Sequence, residues 1–291
     1  MIQAFLRTCR LIIRRMITLA LGAGATRQLH TLYHAVLRRT GGFGLNETAA
    51  TKALLSLLAA RAGTILDGGA NIGRYSWFMA RYRDRETHIY GFEPNPDACR
   101  LARRNLAGLK NVTLLPVGLA ETQRTGSLVV PQDAFGNPVS GLGFVASDPE
   151  AAGTGSAEPI SLWPLDALIA DGTVRIQPPV LLKLDIEGYE PAALAGMARL
   201  LDQHRPWMFF ECDTAYLARA GYDWDAVYLP LRNRGYVIFA EIKGRFYAVE
   251  QPQSASVNYF ALPLPSAEIP PAAGWTIDDL QDRLSVRPLN R

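Results

Sequence analysis

Short runs of apolar residues alternate along the chain with longer amphipathic segments, and this alternation predicts a mostly parallel sheet with helices on both faces. The apolar runs predict strands at residues 64–66, 89–92, 111–115, 180–185, 207–211, 236–240 and 257–262, with a small extra strand at 128–130. The amphipathic segments predict helices at residues 47–58, directly after Gly73, at 97–106, after Glu187 and at 224–234. The fold class indicated is therefore α/β.

The first predicted strand ends in Asp67 and turns through a glycine-rich segment into a helix. Gly69 and Gly73 permit a tight turn and a close ligand approach, because glycine has no Cβ. The helix that follows directs its free N–H groups and the positive end of its dipole at that ligand. The next strand ends in Glu93, 20 residues after Gly73. A carboxylate there can accept hydrogen bonds from both hydroxyls of a ribose.

The spacing of the glycines indicates which cofactor this is. A dinucleotide fingerprint reads G-x-G-x-x-G, whereas this turn reads D-x-G-A-N-x-G. The Asp67 carboxylate would repel a pyrophosphate but suits the ammonium and sulfonium of S-adenosylmethionine, whose amino end it is expected to bind directly or through water. The alternative is an ordinary strand–helix turn whose acid caps the helix. The predicted cofactor-binding residues are Asp67, Gly69, Ala70, Asn71, Gly73, Glu93 and Pro94, with Gly118 and Leu119 beside the adenine.

A second chemical centre lies in the fourth strand, where Lys183 interrupts an apolar run and Asp185 follows on the same side. A buried lysine is costly unless a partner compensates its charge. Lys183, Asp185 and Glu187 are therefore the predicted catalytic residues. Asp185 is the predicted base and Lys183 orients it, or acts as the base itself if desolvation lowers its pKa, while Glu187 holds the acceptor. The alternative is an internal ion pair followed by acids at a helix start, which is the preferred interpretation for Glu190.

No metal is predicted. A divalent ion could bind Asp185, Glu187 and Glu211, but nothing in their spacing requires one, and Glu211 suits a capping role equally well. His30 and His34 are four residues apart, without a third ligand near them in the sequence.

The charge is unevenly distributed over the 291 residues. Residues 1–40 contain seven arginines and no acid, so the remainder is net negative although the whole chain carries +3. Helical spacing separates the arginines from an apolar face, which predicts a basic amphipathic helix. Its longest charge-free run is 11 residues, too short for a transmembrane span. The segment is also a poor match to a signal peptide, because Arg14 and Arg15 interrupt its apolar region. The helix either packs on the domain or lies in an anionic membrane interface.

Three domain regions are predicted: a basic helical extension at 1–45, the main domain at 46–262 and a surface tail at 263–291. Residues 131–160 are rich in Gly, Ala, Ser and Pro and predict a flexible insertion or a lid on the acceptor side. Three widely spaced cysteines indicate reduced thiols and a cytoplasmic location, with peripheral membrane contact through residues 1–40 as the open alternative. Oligomeric state is not readable from the sequence.

Three segments resemble the FkbM family of S-adenosylmethionine-dependent methyltransferases: residues 67–73, residues 92–95 and the K-x-D-x-E-G-x-E run at 183–190. The Leu165-Asp166 pair and residues 206–211 also look like the family's pattern. The resemblance covers about half of the chain. It implies a seven-stranded class I methyltransferase sheet and methyl transfer to a hydroxyl, commonly of a sugar or a polyketide, in glycan or natural-product biosynthesis. The implied partner is a small-molecule or saccharide acceptor.

Parts of the sequence are also compatible with an oxidoreductase or with a non-catalytic binding module. An NAD-dependent oxidoreductase shares the strand–turn–helix–acid arrangement, but the third glycine of its fingerprint is missing. A non-catalytic binding module on a methyltransferase fold could retain Asp67 and Glu93 without using them. The presence of Lys183 and Asp185 is weak evidence against this alternative. Nucleic acid is not an expected partner, because outside residues 1–40 the chain is net negative and lacks a basic stripe interleaved with aromatic residues.

Overall fold

A computed structural model of the protein describes residues 43–131, 143–146, 156–254, 258–264 and 273–285. The described residues from Leu45 onward belong to one compact unit. The basic helix predicted at residues 1–40 lies outside the described ranges, as do His30 and His34.

The described residues form twelve strands and nine helices. The strands are β1 (Thr64–Gly68), β2 (His88–Phe92), β3 (Val112–Leu115), β4 (Gly118–Leu119), β5 (Arg124–Val130), β6 (Phe144–Ala146), β7 (Ser156–Trp163), β8 (Val180–Leu184), β9 (Trp207–Glu211), β10 (Val237–Ile242), β11 (Arg245–Ala248) and β12 (Asn258–Leu262). The helices are α1 (Ala49–Arg61), α2 (Arg74–Met79), α3 (Pro96–Asn105), α4 (Leu165–Ala170), α5 (Glu190–Ala195), α6 (Ala198–His204), α7 (Thr214–Arg219), α8 (Asp225–Arg232) and α9 (Ile277–Ser285). In the part of the chain that is described, no helix is long and apolar enough to cross a membrane.

The central sheet has the strand order β11–β10–β12–β9–β8–β1–β2–β3. Its β3, β2, β1, β8 and β9 strands are parallel, whereas β12 runs antiparallel to β9 and to β10. The mostly parallel α/β sheet is confirmed. It has eight strands where seven are expected, because β11 forms a hairpin with β10. The chain leaves β1 toward β2 on one side and returns as β8 on the other, and such a switch point is where open α/β sheets bind their ligands.

The sheet is buried on both faces, so successive residues of a central strand enter two different cores. Ile65 and Leu181 pack on one face, and their neighbours Leu66 and Leu182 pack on the other. All five residues of β1 and of β8 are buried. Continuous apolar runs are what a parallel sheet covered by helices on both faces requires.

The segment predicted as a surface tail contributes to one of these cores, so that prediction is wrong for residues 273–285. Trp275, Leu280 and Leu284 are buried against the central sheet. Trp275 also exchanges backbone hydrogen bonds with Phe246 in β11. Leu280 and Leu284 lie one helical turn apart on α9, which places both on its apolar face.

A second, four-stranded sheet has the order β4–β7–β5–β6. Its apolar residues pack against the start of α5 and include Leu128, Val130, Ile160 and Leu162. Parts of the segment expected to be without structure, 144–146 and 156–160, are therefore strands. The Gly- and Ser-rich composition concealed them because their stability comes from pairing with β5, which is distant in sequence. The role of 131–160 as a lid stays a prediction.

Candidate active site

The glycine turn after β1 contacts both neighbouring strands. Gly69 has φ +71°, and a Cβ added there would lie 1.9 Å from the carbonyl oxygen of Asp185, so no other residue fits. The amides of Gly69 and Ala70 both donate to the carbonyl of Phe92 at 3.0 Å. The turn is thus fixed to the ends of β2 and β8, and these two amides are used inside the protein.

Glu93 lies at the end of β2 and is almost completely buried. Its Oε2 accepts from the Asn71 amide at 2.7 Å, and its Oε1 accepts from the Asn95 amide at 2.8 Å. Burial raises the pKa of Glu93 to about 7, although these amides and the charge of Lys183 oppose the rise. Each oxygen keeps a second lone pair, so the carboxylate can accept two further hydrogen bonds.

Lys183 is completely buried beneath the glycine turn. Its Nζ donates to the carbonyls of Gly68 and Gly69 at 3.0 and 2.7 Å. It lies 3.2 Å from Asp67 Oδ1 and 3.6 Å from Asp185 Oδ2. Burial alone would lower the pKa of Lys183, but the two carboxylates outweigh it and the pKa is raised. The condition under which Lys183 itself would act as the base, a pKa lowered by desolvation, is therefore not met.

Asp67 is the closer carboxylate partner of Lys183, since the two residues are paired across β1 and β8. Its side chain is fully buried, and the hydroxyl of Ser76 donates to Oδ2 at 2.5 Å. Of the two expected modes of contact between Asp67 and the amino end of a cofactor, the direct one does not fit this burial, and contact through water stays a prediction. The Tyr75 ring lies over the Lys183 amine at 4.8 Å, and its hydroxyl donates to Glu47 at 2.7 Å.

Three carboxyl groups meet where β8 and β9 end. Asp185, Glu187 and Glu211 each place one oxygen within 4.8 Å of the others. Burial, followed by the charge of Asp185, raises the pKa of Glu187 to about 8 and that of Glu211 to about 9. The cluster can therefore hold a proton or another cation between its oxygens.

The loop between β8 and α5 holds this cluster in an unusual backbone conformation. Glu187 has φ +59° and Gly188 has φ +100°, and a Cβ at Gly188 would lie 2.3 Å from the carbonyl oxygen of Tyr216. Arg219 donates to the carbonyl of Glu187 at 2.8 Å, and its guanidinium lies 3.8 Å above the ring of Phe144 in β6. A strained loop held by several contacts is typical of a functional site.

Two of the predicted cofactor residues belong to the second sheet. Gly118 pairs with Leu162 of β7, and a Cβ at Gly118 would lie 3.5 Å from Pro94. Leu119 is buried in the core against Gly68. The structure thus brings Gly118 next to Pro94 at the end of β2, while the predicted contact of Gly118 and Leu119 with adenine stays a prediction.

The predicted site residues gather at one edge of the central sheet. The predicted catalytic residues did not include Glu211, although its position at a strand end was a usable signal. They also lacked Ser76 and Arg219, because the roles of these two depend on contacts with residues 9 and 32 positions away.

The methyltransferase FkbM domain matches residues 67–238, which is more than half of the chain. The chain belongs to the FkbM methyltransferase family. The glycine turn, Glu93 and the 183–190 run all lie inside the match. The matched region is accordingly a methyltransferase domain with a Rossmann-like α/β fold, for which S-adenosylmethionine is the expected cofactor. The comparison with curated proteins gives no match.

Solved structures of several methyltransferases are similar to this FkbM-family chain. A methyltransferase FkbM from Methylobacillus flagellatus is 17% identical, with 68% of this chain and 43% of that chain covered at a TM-score of 0.41. An S-adenosylmethionine-dependent O-methyltransferase from Thermotoga maritima is 14% identical, with coverages of 74% and 65% and a TM-score of 0.39. A methyltransferase from Geobacter sulfurreducens is 15% identical, with coverages of 78% and 83% and a TM-score of 0.39. The match spans less than half the length of the first structure.

Proposed function

We propose that this FkbM-family protein is an O-methyltransferase that methylates a hydroxyl group of a small polyhydroxylated molecule, of the sugar or polyketide type. The observation that carries the proposal is the cluster of Asp185, Glu187 and Glu211 beside the glycine turn. Carboxylates accept hydrogen bonds from hydroxyl groups and can take up a proton, whereas they repel phosphate and carboxylate acceptors.

The residues around the turn fit S-adenosylmethionine. Glu93 has two accepting positions left after its bonds to the amides of Asn71 and Asn95, which suits the two hydroxyls of a ribose. In this proposal the turn at Gly69–Gly73 admits the methionine part of the cofactor, and Pro94 and Gly118 border its adenine. Asp67 lies beneath the turn, where its carboxylate compensates the positive charge of Lys183.

When bound, the cofactor would supply an electrophilic methyl group, whose bond to the sulfonium sulfur breaks and leaves S-adenosylhomocysteine as a neutral thioether. Asp185 takes the proton of the acceptor hydroxyl as the new carbon–oxygen bond forms, because a neutral hydroxyl is a poor nucleophile. Lys183 orients Asp185 from 3.6 Å and holds the turn through its carbonyls. Glu187 binds further hydroxyls and so fixes the acceptor in line, which supplies much of the acceleration. The strand β6 borders the acceptor side, since Arg219 joins Phe144 to the Glu187 loop.

The test is methyl transfer from labelled S-adenosylmethionine to a panel of sugars and hydroxylated polyketides, after calorimetric titration with the cofactor, S-adenosylhomocysteine and NAD. We expect binding of the first two, no binding of NAD, and a product label that resists mild base, as a methyl ether does. Label released by mild base would identify a carboxyl acceptor and contradict O-methylation of a hydroxyl. Absence of cofactor binding would favour a non-catalytic module.

We expect the affinity for S-adenosylhomocysteine to decrease as the pH falls below about 7. Ribose hydroxyls donate to the ionised form of Glu93, and burial raises the pKa of this group to about 7 in the free protein. The dissociation constant should therefore be constant at higher pH and rise by up to about tenfold per pH unit below it. Calorimetry at several pH values measures this, with Glu93→Gln as the control.

Glu93→Gln keeps an accepting oxygen but cannot titrate. This variant should bind S-adenosylhomocysteine more weakly than the wild type at pH 8. Its affinity should not fall between pH 8 and pH 6 through titration of residue 93. An equal pH dependence in the two proteins would show that Glu93 does not bind the ribose.

Peripheral membrane contact through residues 1–40 also stays a proposal. Liposomes containing anionic lipids should retain the full chain and lose it when these residues are removed; equal retention of both would contradict it.

A further inference from the structure

The end of the central sheet carries more negative charge than a single general base needs. Asp185 and Glu187 lie in the loop after β8 and Glu211 ends β9, so two separate backbone segments bring the three carboxylates together. One oxygen of each lies within 4.8 Å of the other two. This separation allows all three to ligate a single ion, and carboxylate oxygens are the ligands that Mg²⁺ and Mn²⁺ prefer.

A fourth carboxylate, that of Glu190, lies beside the loop that carries Asp185 and Glu187, and only one of its two oxygens accepts hydrogen bonds. Glu190 is 1% exposed, and its Oε1 accepts from the amide of Ile186 at 3.0 Å, between Asp185 and Glu187. Its Oε2 is buried and has no hydrogen-bond partner among the described residues, and the same holds for Oε2 of Glu187. A buried carboxylate oxygen without a donor is costly, so the arrangement calls for a positive charge nearby.

Lys183 and Arg219 are basic residues close to the cluster, but both are engaged in other contacts. Lys183 Nζ is 3.6 Å from Asp185, but it already contacts Asp67 and the two carbonyls below the turn. Arg219 donates to the backbone carbonyl of Glu187, and its guanidinium lies over the rings of Phe144 and Tyr216.

We infer that Asp185, Glu187 and Glu211 bind one divalent cation, Mg²⁺ or Mn²⁺, and that the buried Glu190 carboxylate supports the site from behind. The inference deepens the proposed function. Each ligand side chain needs to give only one oxygen, so Asp185 keeps an oxygen for the proton, and coordination positions remain for hydroxyl groups of the acceptor. A cation there lowers the pKa of a bound hydroxyl and orients it. The expected acceptor therefore carries two neighbouring oxygen functions that can chelate the ion.

The experiment is a titration of the metal-free full-length protein with Mn²⁺, in which free Mn²⁺ is measured by electron paramagnetic resonance. The variants are Glu187→Gln, Glu211→Gln and Glu190→Gln, and the control is Asp278→Asn on the exposed surface of α9. We expect one Mn²⁺ site per wild-type chain that Mg²⁺ displaces. The two ligand variants should raise its dissociation constant at least about tenfold, Glu190→Gln about tenfold, and the control not at all.

Two outcomes would overturn the inference: no site with a dissociation constant below about 1 mM, or equal Mn²⁺ binding by the wild type and both ligand variants. Either result would mean that the carboxyl groups share a proton instead. Titration with S-adenosylhomocysteine in the presence of EDTA checks that each variant is folded. It also separates failure of the metal site from failure of the proposed methyltransferase function, because the cofactor site should remain intact without metal.

Discussion

Asp185→Asn is expected to lower kcat for methyl transfer by about 10²- to 10⁴-fold, the range typical for loss of a general base. Asparagine has nearly the same shape but cannot take the proton of the acceptor hydroxyl. The affinity for S-adenosylhomocysteine should change little, because the residues assigned to cofactor binding lie in the glycine turn and at Glu93. Single-turnover kinetics with labelled S-adenosylmethionine measures the chemical step directly.

The matched control is Asp213→Asn, which changes an acid that caps α7 and bonds the Ala215 amide at 2.8 Å. It removes the same charge from the same region of the sheet without touching the cluster. Its kcat should stay within a few-fold of wild type. Full activity of Asp185→Asn would refute the base assignment and leave positioning of the acceptor as the main source of rate.

Lys183→Met is expected to reduce the free energy of unfolding by about 3–5 kcal/mol, since removing one partner of a buried ion pair leaves the other charge uncompensated. The uncompensated group here is Asp67, which is fully buried. The carbonyls of Gly68 and Gly69 also lose their donor. Urea unfolding at pH 7 measures the loss, and Lys110→Met on the exposed surface should change stability by less than about 0.5 kcal/mol.

A second variant separates the ion pair from simple packing. Asp67→Asn combined with Lys183→Met removes both charges, so it should recover part of the stability lost in Lys183→Met alone. The asparagine can still accept from Ser76. The single variant Asp67→Asn gives the loss in unfolding free energy caused by that change alone. If Asp67→Asn lowers the stability of Lys183→Met by this same amount, the two residues are not coupled, and Lys183 stabilises the turn through the carbonyls alone.

The positions of the main strands along the chain and the mostly parallel α/β sheet followed from the local pattern of the sequence. Buried parallel strands need continuous apolar runs, and Gly69 and Gly73 have no replacement in a turn that requires positive φ, so these features are visible without a structure. The acids at the strand ends could likewise be located, because parallel strands bring their carboxyl ends to one edge.

The hydrogen-bond and ion-pair partners of the buried polar side chains could not be predicted from local sequence pattern, since these partners lie in distant segments of the chain. The sequence paired Lys183 with Asp185, two residues away, whereas Asp67 on the neighbouring strand is closer. It expected Asp67 to bind the cofactor directly or through water, and it could not show that the carboxylate also contacts Lys183 and Ser76. The apolar positions of α9 form a pattern too short to predict burial, and only packing on the sheet gives Trp275 its place in the core.

By itself, the sequence determined the α/β class, the cofactor turn and the acids at the strand ends, because local spacing fixes backbone conformation and strand ends share an edge. The tertiary structure decided which charges are buried and paired and which strands build the second sheet. These outcomes depend on desolvation and on contacts between segments far apart in the chain, and no local pattern encodes them.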